Sequence, residues 1–146
     1  MAKRWKLTVT SDASQLSEIG RFVHEIGLSL GLDSDSLFDV ELACEEACAN
    51  VIEHAYHAKQ GVFSVSCCAN QGDFVVEIED FGASFNPLTV SSANTRRNGS
   101  SPATSGYGIQ LMRQLMDQVT YQFDDKAGNR LTMIKHNVVP PSEQEP

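Results

Sequence analysis

Glu46, Asn50 and His54 recur at four-residue intervals within Glu45-Glu46-Ala47-Cys48-Ala49-Asn50-Val51-Ile52-Glu53-His54-Ala55-Tyr56. On a helix that spacing aligns the three side chains in one polar row. Leu37, Val40, Cys44, Ala47 and Val51 follow a helical period beside it. The polar row therefore borders the buried face and does not oppose it. A carboxylate, an amide and an imidazole at the lip of a core suggest a site for proton transfer or polar ligand binding. A helix with a few polar boundary residues would read the same from this stretch alone.

Two further clusters carry chemistry. In Phe74-Val75-Val76-Glu77-Ile78-Glu79-Asp80-Phe81-Gly82, strand alternation puts Asp80 at the end of the apolar row Phe74, Val76, Ile78. A buried carboxylate is costly unless donors satisfy it, and a ligand N–H is one such donor. Gly82 lets backbone or ligand approach closely. The alternative is an Asp that caps a turn. In Ser105-Gly106-Tyr107-Gly108-Ile109, two glycines stand at the start of a predicted helix. Backbone N–H groups there face an anion, and the helix dipole adds favourable potential.

The elements that must position these residues follow from periodicity and turn signals. Residues 5–10 alternate as a strand. Leu16, Ile19, Phe22, Val23, Ile26 and Leu30 mark a first helix, preceded by cap candidates at residues 11–14 and ended by Gly31. Asp33-Ser34-Asp35 caps a second helix that is expected to reach about His57. Residues 62–69 and 74–79 form a hairpin around Asn70-Gln71-Gly72-Asp73. Residues 87–105 are rich in Ser, Thr, Asn, Gly and Pro, the texture of a lid or binding loop, although a plain insertion would look alike. Ile109, Leu111, Met112, Leu115 and Met116 mark a third helix. Residues 119–123 and 130–137 are the last strands, joined by Asp124-Asp125-Lys126-Ala127-Gly128-Asn129. The expectation is one domain over residues 1–137 with a disordered tail at 138–146. The order β-α-α-β-β-loop-α-β-β predicts an α+β two-layer sandwich, with three main helices on one face of a mostly antiparallel mixed sheet.

Bulk properties narrow the function. A chain of 146 residues fits one domain with a respectable core. The net charge of −8 argues against nonspecific nucleic-acid binding, which needs clustered Lys and Arg. No apolar run approaches the roughly 20 residues that span a membrane. Leu7-Thr8-Val9-Thr10 is too short and polar for a signal-peptide core, so a cytoplasmic location is expected. The four cysteines contain no C-x-x-C pair, and Cys67 and Cys68 point to opposite faces of a strand. They read as small hydrophobes, kept reduced in the cytosol.

Glu46-x-x-x-Asn50, Asp80-x-Gly82-x-x-Phe85-x-Pro87 and Gly106-x-Gly108-Ile109 resemble, in order, the three ATP-binding boxes of the Bergerat-fold superfamily. The short chain and the run from Gly108 to Val119 resemble more narrowly the bacterial anti-sigma-factor serine-protein kinases. The resemblance covers roughly residues 5–136. It implies ATP and Mg²⁺ as cofactors, with Asn50 as the metal ligand and Glu46 as general base on a partner's serine. It implies that Asp80 accepts from the adenine amino group and that Gly82 and Phe85 line the adenine pocket. Ser105, Gly106, Tyr107, Gly108 and Ile109 would hold phosphates, His54 would orient the helix or the phosphates, and residues 88–105 would be the ATP lid. The superfamily often has Thr directly after the glycine of the last strand. Here that strand reads Asn129-Arg130-Leu131-Thr132, with Thr132 as the substitute hydroxyl. The position before Ser105, basic in some relatives, is Thr104, which leaves Arg96 or Arg97 to supply any lid cation. The implied partners are a STAS-type anti-anti-sigma protein, a sigma factor and a second copy of the chain. A regulatory module that binds ATP without phosphorylating its partner is the alternative.

Overall fold

Five strands and three main helices follow one another in the computed structural model, which describes residues 3–55, 60–82, 106–124 and 128–141. The order is β1 (Arg4–Thr10), α1 (Leu16–Ser29), α2 (Ser34–Asn50), β2 (Val62–Asn70), β3 (Asp73–Asp80), α3 (Gly106–Leu115), β4 (Gln118–Asp124) and β5 (Gly128–Lys135). The sheet runs β1-β2-β3-β5-β4. All of its pairings are antiparallel, a more uniform sheet than the mixed one expected from sequence.

Turn chemistry sets the register of the central hairpin. Gln71 and Gly72 take φ of 53° and 93°, so a two-residue turn with both φ positive joins β2 to β3. That register places Phe63 opposite Asp80 and Val65 opposite Ile78. Phe63, Val65, Cys67, Phe74, Val76, Ile78, Leu131 and Met133 are buried on the sheet face that the helices cover. The alternate residues lie on the other face. There Arg4 pairs with Glu77, and Arg130 donates to Glu79 Oε2 from Nε at 3.1 Å and Nη2 at 2.9 Å.

The helices are capped and packed as their sequences direct. Asp12 accepts from the Ser14 N–H at 3.0 Å in a 3₁₀ turn that leads into α1. Asp33 accepts from the Ser36 N–H at 2.8 Å and caps α2. Gly27 lies so close to Leu37 that a Cβ would collide with it, which lets α1 and α2 approach. Ile109, Met112 and Met116 anchor α3 in the core. Lys135 Nζ reaches the carbonyl of Leu115 and, at 3.1 Å, Asp39 Oδ2. One cation thus ties the C-terminus of α3 to α2 and β5, where the helix dipole favours positive charge.

Two expectations change. The second helix does not continue as an α-helix to His57: residues Val51–Ala55 form a π-helical turn. The chain at Val138 and Val139 is not a free tail. Both N–H groups donate to the Gly72 carbonyl at 3.0 Å, and Val139 is buried in the core. No helix among the described residues is long and apolar enough to cross a membrane.

Candidate functional site

Helix α2 and strands β3, β4 and β5 enclose a narrow cleft lined by Ala47, Asn50, Val51, Ile78, Asp80, Tyr121 and Leu131. Its free space of about 10 Å³ holds roughly one water, so a larger ligand needs the cleft to open or to extend beyond these residues. Asn50 and Asp80 are each only 4% exposed, and both face this cleft. The sequence placed them on a helix and a strand 30 residues apart; the fold joins them.

Asp80 is held from two sides. Its Oδ1 accepts from the Gly82 N–H at 2.9 Å and from Asn129 Nδ2 at 2.9 Å. Burial pushes the carboxyl pKa up, and these two hydrogen bonds pull it partly back. Asn129 Nδ2 also approaches the Gly82 carbonyl at 3.3 Å. Asn129 stands opposite Asp80 because β5 begins at Gly128 and pairs in register with β3.

Glu46 lies on α2 one helical turn before Asn50. Its Oε1 is buried and has no hydrogen-bond partner among the described residues. Burial raises its pKa, and the neighbouring Glu45 adds to the effect. A carboxylate in that state is a stronger base than an exposed one. Asn50 itself lines the cleft. A carboxamide oxygen placed there fits a hard cation, which keeps waters and needs few protein ligands.

Other expected site residues are placed differently. His54 is half-buried on the π-helical turn that follows α2. Thr132 pairs with Glu77 and Thr120 on the far face of the sheet, so it cannot serve as the hydroxyl beside Asp80. The residue directly after Gly128, Asn129, occupies that position instead. Ile109 is a core residue, 5% exposed, and anchors α3 rather than facing a ligand. Gly106 and Gly108 lie within the first turn of α3, where free N–H groups suit phosphate. Phe85, Ser105, the Tyr107 side chain and the 88–105 lid lie outside the described residues.

The cysteines have no chemical part here. Cys44, Cys48 and Cys67 are buried in the core. A hydrogen bond to Cys44 and then burial push the Cys48 thiol well up, and burial does the same to Cys67. Such thiols are poor nucleophiles.

Residues 9–135 match the family described as histidine kinase-like ATPase domain. The chain belongs to that family. It is 26% identical over 117 residues to a protein named anti-sigma F factor from Clostridium kluyveri, a match that covers 80% of each chain. It is 30% identical over 121 residues to a serine-protein kinase RsbW from Bacillus licheniformis, covering 75% of this chain and 71% of that one. A serine-protein kinase RsbW from Halalkalibacterium halodurans is 28% identical over 134 residues, 89% of this chain and 81% of the relative. The fold also matches a crystal structure of the RsbU and RsbW domains of Rv1364c from Mycobacterium tuberculosis. The TM-score is 0.66 at 15% identity, over 92% of this chain and 32% of that longer one. These matches agree with an α+β ATPase-type fold and with the family of partner-switching anti-sigma kinases.

Proposed function

We propose that this protein binds Mg-ATP and transfers the γ-phosphoryl group to a serine of a STAS-type anti-anti-sigma protein, and that it also sequesters a sigma factor. The observation that carries the kinase reading is the buried, unpartnered Oε1 of Glu46, one turn before Asn50, which lines the cleft. The names of the similar proteins, anti-sigma F factor and serine-protein kinase, support the choice of substrate and partner.

Phosphoryl transfer asks a protein mostly for positioning and charge stabilisation. Asp80 accepts from the adenine amino group and fixes the base. Gly106 and Gly108 present backbone N–H groups to the phosphates from the first turn of α3. Asn50 would hold Mg²⁺, which supplies charge neutralisation on the phosphate oxygens when bound. Glu46 takes the serine hydroxyl proton as that oxygen bonds to the γ-phosphorus. The bond to the bridging oxygen breaks and ADP leaves. A pKa lifted toward neutrality by burial suits that task. Homodimerisation and a cytoplasmic location belong to the same proposal, and sedimentation tests the first.

The decisive experiment mixes this protein, γ-labelled ATP, Mg²⁺ and the cognate STAS partner. Label should move to a partner serine with the wild type, and not with Glu46→Gln, which should keep its ATP affinity. Binding of Mg-ATP and of the partner without transfer would replace the kinase by an ATP-gated binding module. A wild type that binds no Mg-ATP would defeat both readings.

A further inference from the structure

Asn129 ties the start of β5 to the end of β3. Its Nδ2 donates to Asp80 Oδ1 at 2.9 Å and approaches the Gly82 carbonyl at 3.3 Å, while the Gly82 N–H donates to the same Oδ1 at 2.9 Å. Two donors on one oxygen fix the carboxylate torsion and commit Oδ1. Oδ2 is then the oxygen left for an outside donor. Asn129 is 3% exposed, so these bonds form away from water, where losing one is expensive. The arrangement is built by its neighbours. Gly128 has φ of 93°, and a Cβ there would lie 2.7 Å from both the Asp80 carbonyl oxygen and Phe81 Cδ1. Only glycine lets β5 start close enough to bring Asn129 against Asp80.

We propose that Asn129 is a positioning residue that locks the Asp80 carboxylate and thereby sets the preference for adenine over a 6-oxo purine. The proposal rests on the nucleotide reading above. An ionised carboxylate only accepts hydrogen bonds. Adenine offers a donor at its exocyclic amine. Hypoxanthine offers a carbonyl there and an N–H on the adjacent ring nitrogen. A locked carboxylate meets the hypoxanthine carbonyl with its own lone pairs and rejects it. An unlocked one can turn to the neighbouring N–H and tolerate it.

Equilibrium binding of ADP and IDP, with Mg²⁺, to the wild type, Asn129→Ala and Asn129→Thr tests this. The wild type should favour ADP by at least about tenfold, the worth of one charge-assisted hydrogen bond. Asn129→Ala should lose affinity for ADP and lower the ADP-to-IDP preference at least threefold. Asn129→Thr, with one hydroxyl in place of two amide donors and good strand propensity, should fall between the two. A merely structural Asn129 would lower the melting temperature and leave the preference unchanged. An unchanged preference in either folded variant, or a wild type that binds ADP and IDP equally, overturns the role of Asn129 while the nucleotide site stands. If Asn129→Ala does not fold, Asn129→Thr decides alone. A wild type that binds neither nucleotide overturns the nucleotide reading itself, and the role of Asn129 with it.

Discussion

At one end of the cleft Asp80, Gly82 and Asn129 hold one another with hydrogen bonds of 2.9 to 3.3 Å. At the other, one turn before Asn50, Glu46 Oε1 has no hydrogen-bond partner among the described residues. Glu46 is half-buried as a residue, but its Oε1 is enclosed like the Asp80 carboxylate, so the contrast is not one of solvent access to these atoms. The Asp80 end is pre-organised: its polar groups are fixed before any ligand arrives, and what remains is a shaped acceptor. The Glu46 end stores unmet hydrogen-bonding capacity at Oε1, which costs stability in the empty protein and is recovered on binding. A base of constant shape suits the first design. Phosphates that change charge and geometry during transfer suit the second. Substitutions at the Asp80 end should therefore damage both fold and affinity, and those at the other end should separate the two.

The largest effect is expected from Asp80→Asn. The new amide presents a donor or a weaker acceptor to Gly82 N–H and Asn129 Nδ2, and no longer offers a charged acceptor to the base. ADP affinity measured by calorimetry should fall by about a hundredfold or more. Gly128→Ala comes next. A Cβ 2.7 Å from the Asp80 carbonyl, at a φ of 93°, must push β5 away. A loss of about 2 kcal/mol is expected in denaturant unfolding, with weaker ADP binding because Asn129 moves too. If Gly128→Ala cost stability but left ADP affinity intact, the Asp80 end would not be pre-organised by β5.

Asn50→Ala should show the opposite signature. The substitution leaves the hydrogen bonds among Asp80, Gly82 and Asn129 in place, so unfolding should change by no more than about 1 kcal/mol. The Mg²⁺-dependent part of ATP affinity should disappear, at least about tenfold, while Mg²⁺-free ADP binding stays close to wild type. Equal losses with and without Mg²⁺ would remove Asn50 from the metal site.

The two ends also differ in how far the amino-acid sequence alone makes them legible. Glu46, Asn50 and Asp80 were legible because helical and strand periods decide which side of an element a residue occupies. The hairpin at Gln71-Gly72 and the caps at Asp12 and Asp33 were legible because their turn chemistry is local. Asn129 was not. Asp124-Asp125-Lys126-Ala127-Gly128-Asn129 has the composition of a polar turn, and only the register of β5 against β3 turns its last residue into a buried strand position. Thr132 attracted the hydroxyl role by residue type, while strand alternation sends it to the far face. The π-helical turn at Val51–Ala55, which carries His54, is announced by nothing in the local sequence. Ile109 stood next to a glycine box and looked like part of it, but its burial belongs to the core.

The smallest expected effect is also the sharpest test of the Glu46 end. Burial raises the folded-state pKa of Glu46 above its ordinary value of 4.5. The folded protein therefore binds this proton more tightly than the unfolded chain does. Stability then falls as pH rises from the ordinary value through the folded one, and the penalty is complete above both. Glu46→Gln removes the charge and the penalty together. At neutral pH the variant should be slightly more stable than wild type, by well under about 1 kcal/mol, because Glu46 is only half-buried and solvent screens its charge. The gain should shrink on acidification and vanish once the medium is well below pH 4.5, where wild-type Glu46 is protonated in both states. Thermal melts of the two proteins across that pH range, without nucleotide, measure it directly. A variant less stable than wild type at neutral pH would mean that the Glu46 carboxylate is satisfied in the folded protein, and the two ends of the cleft would no longer differ in kind.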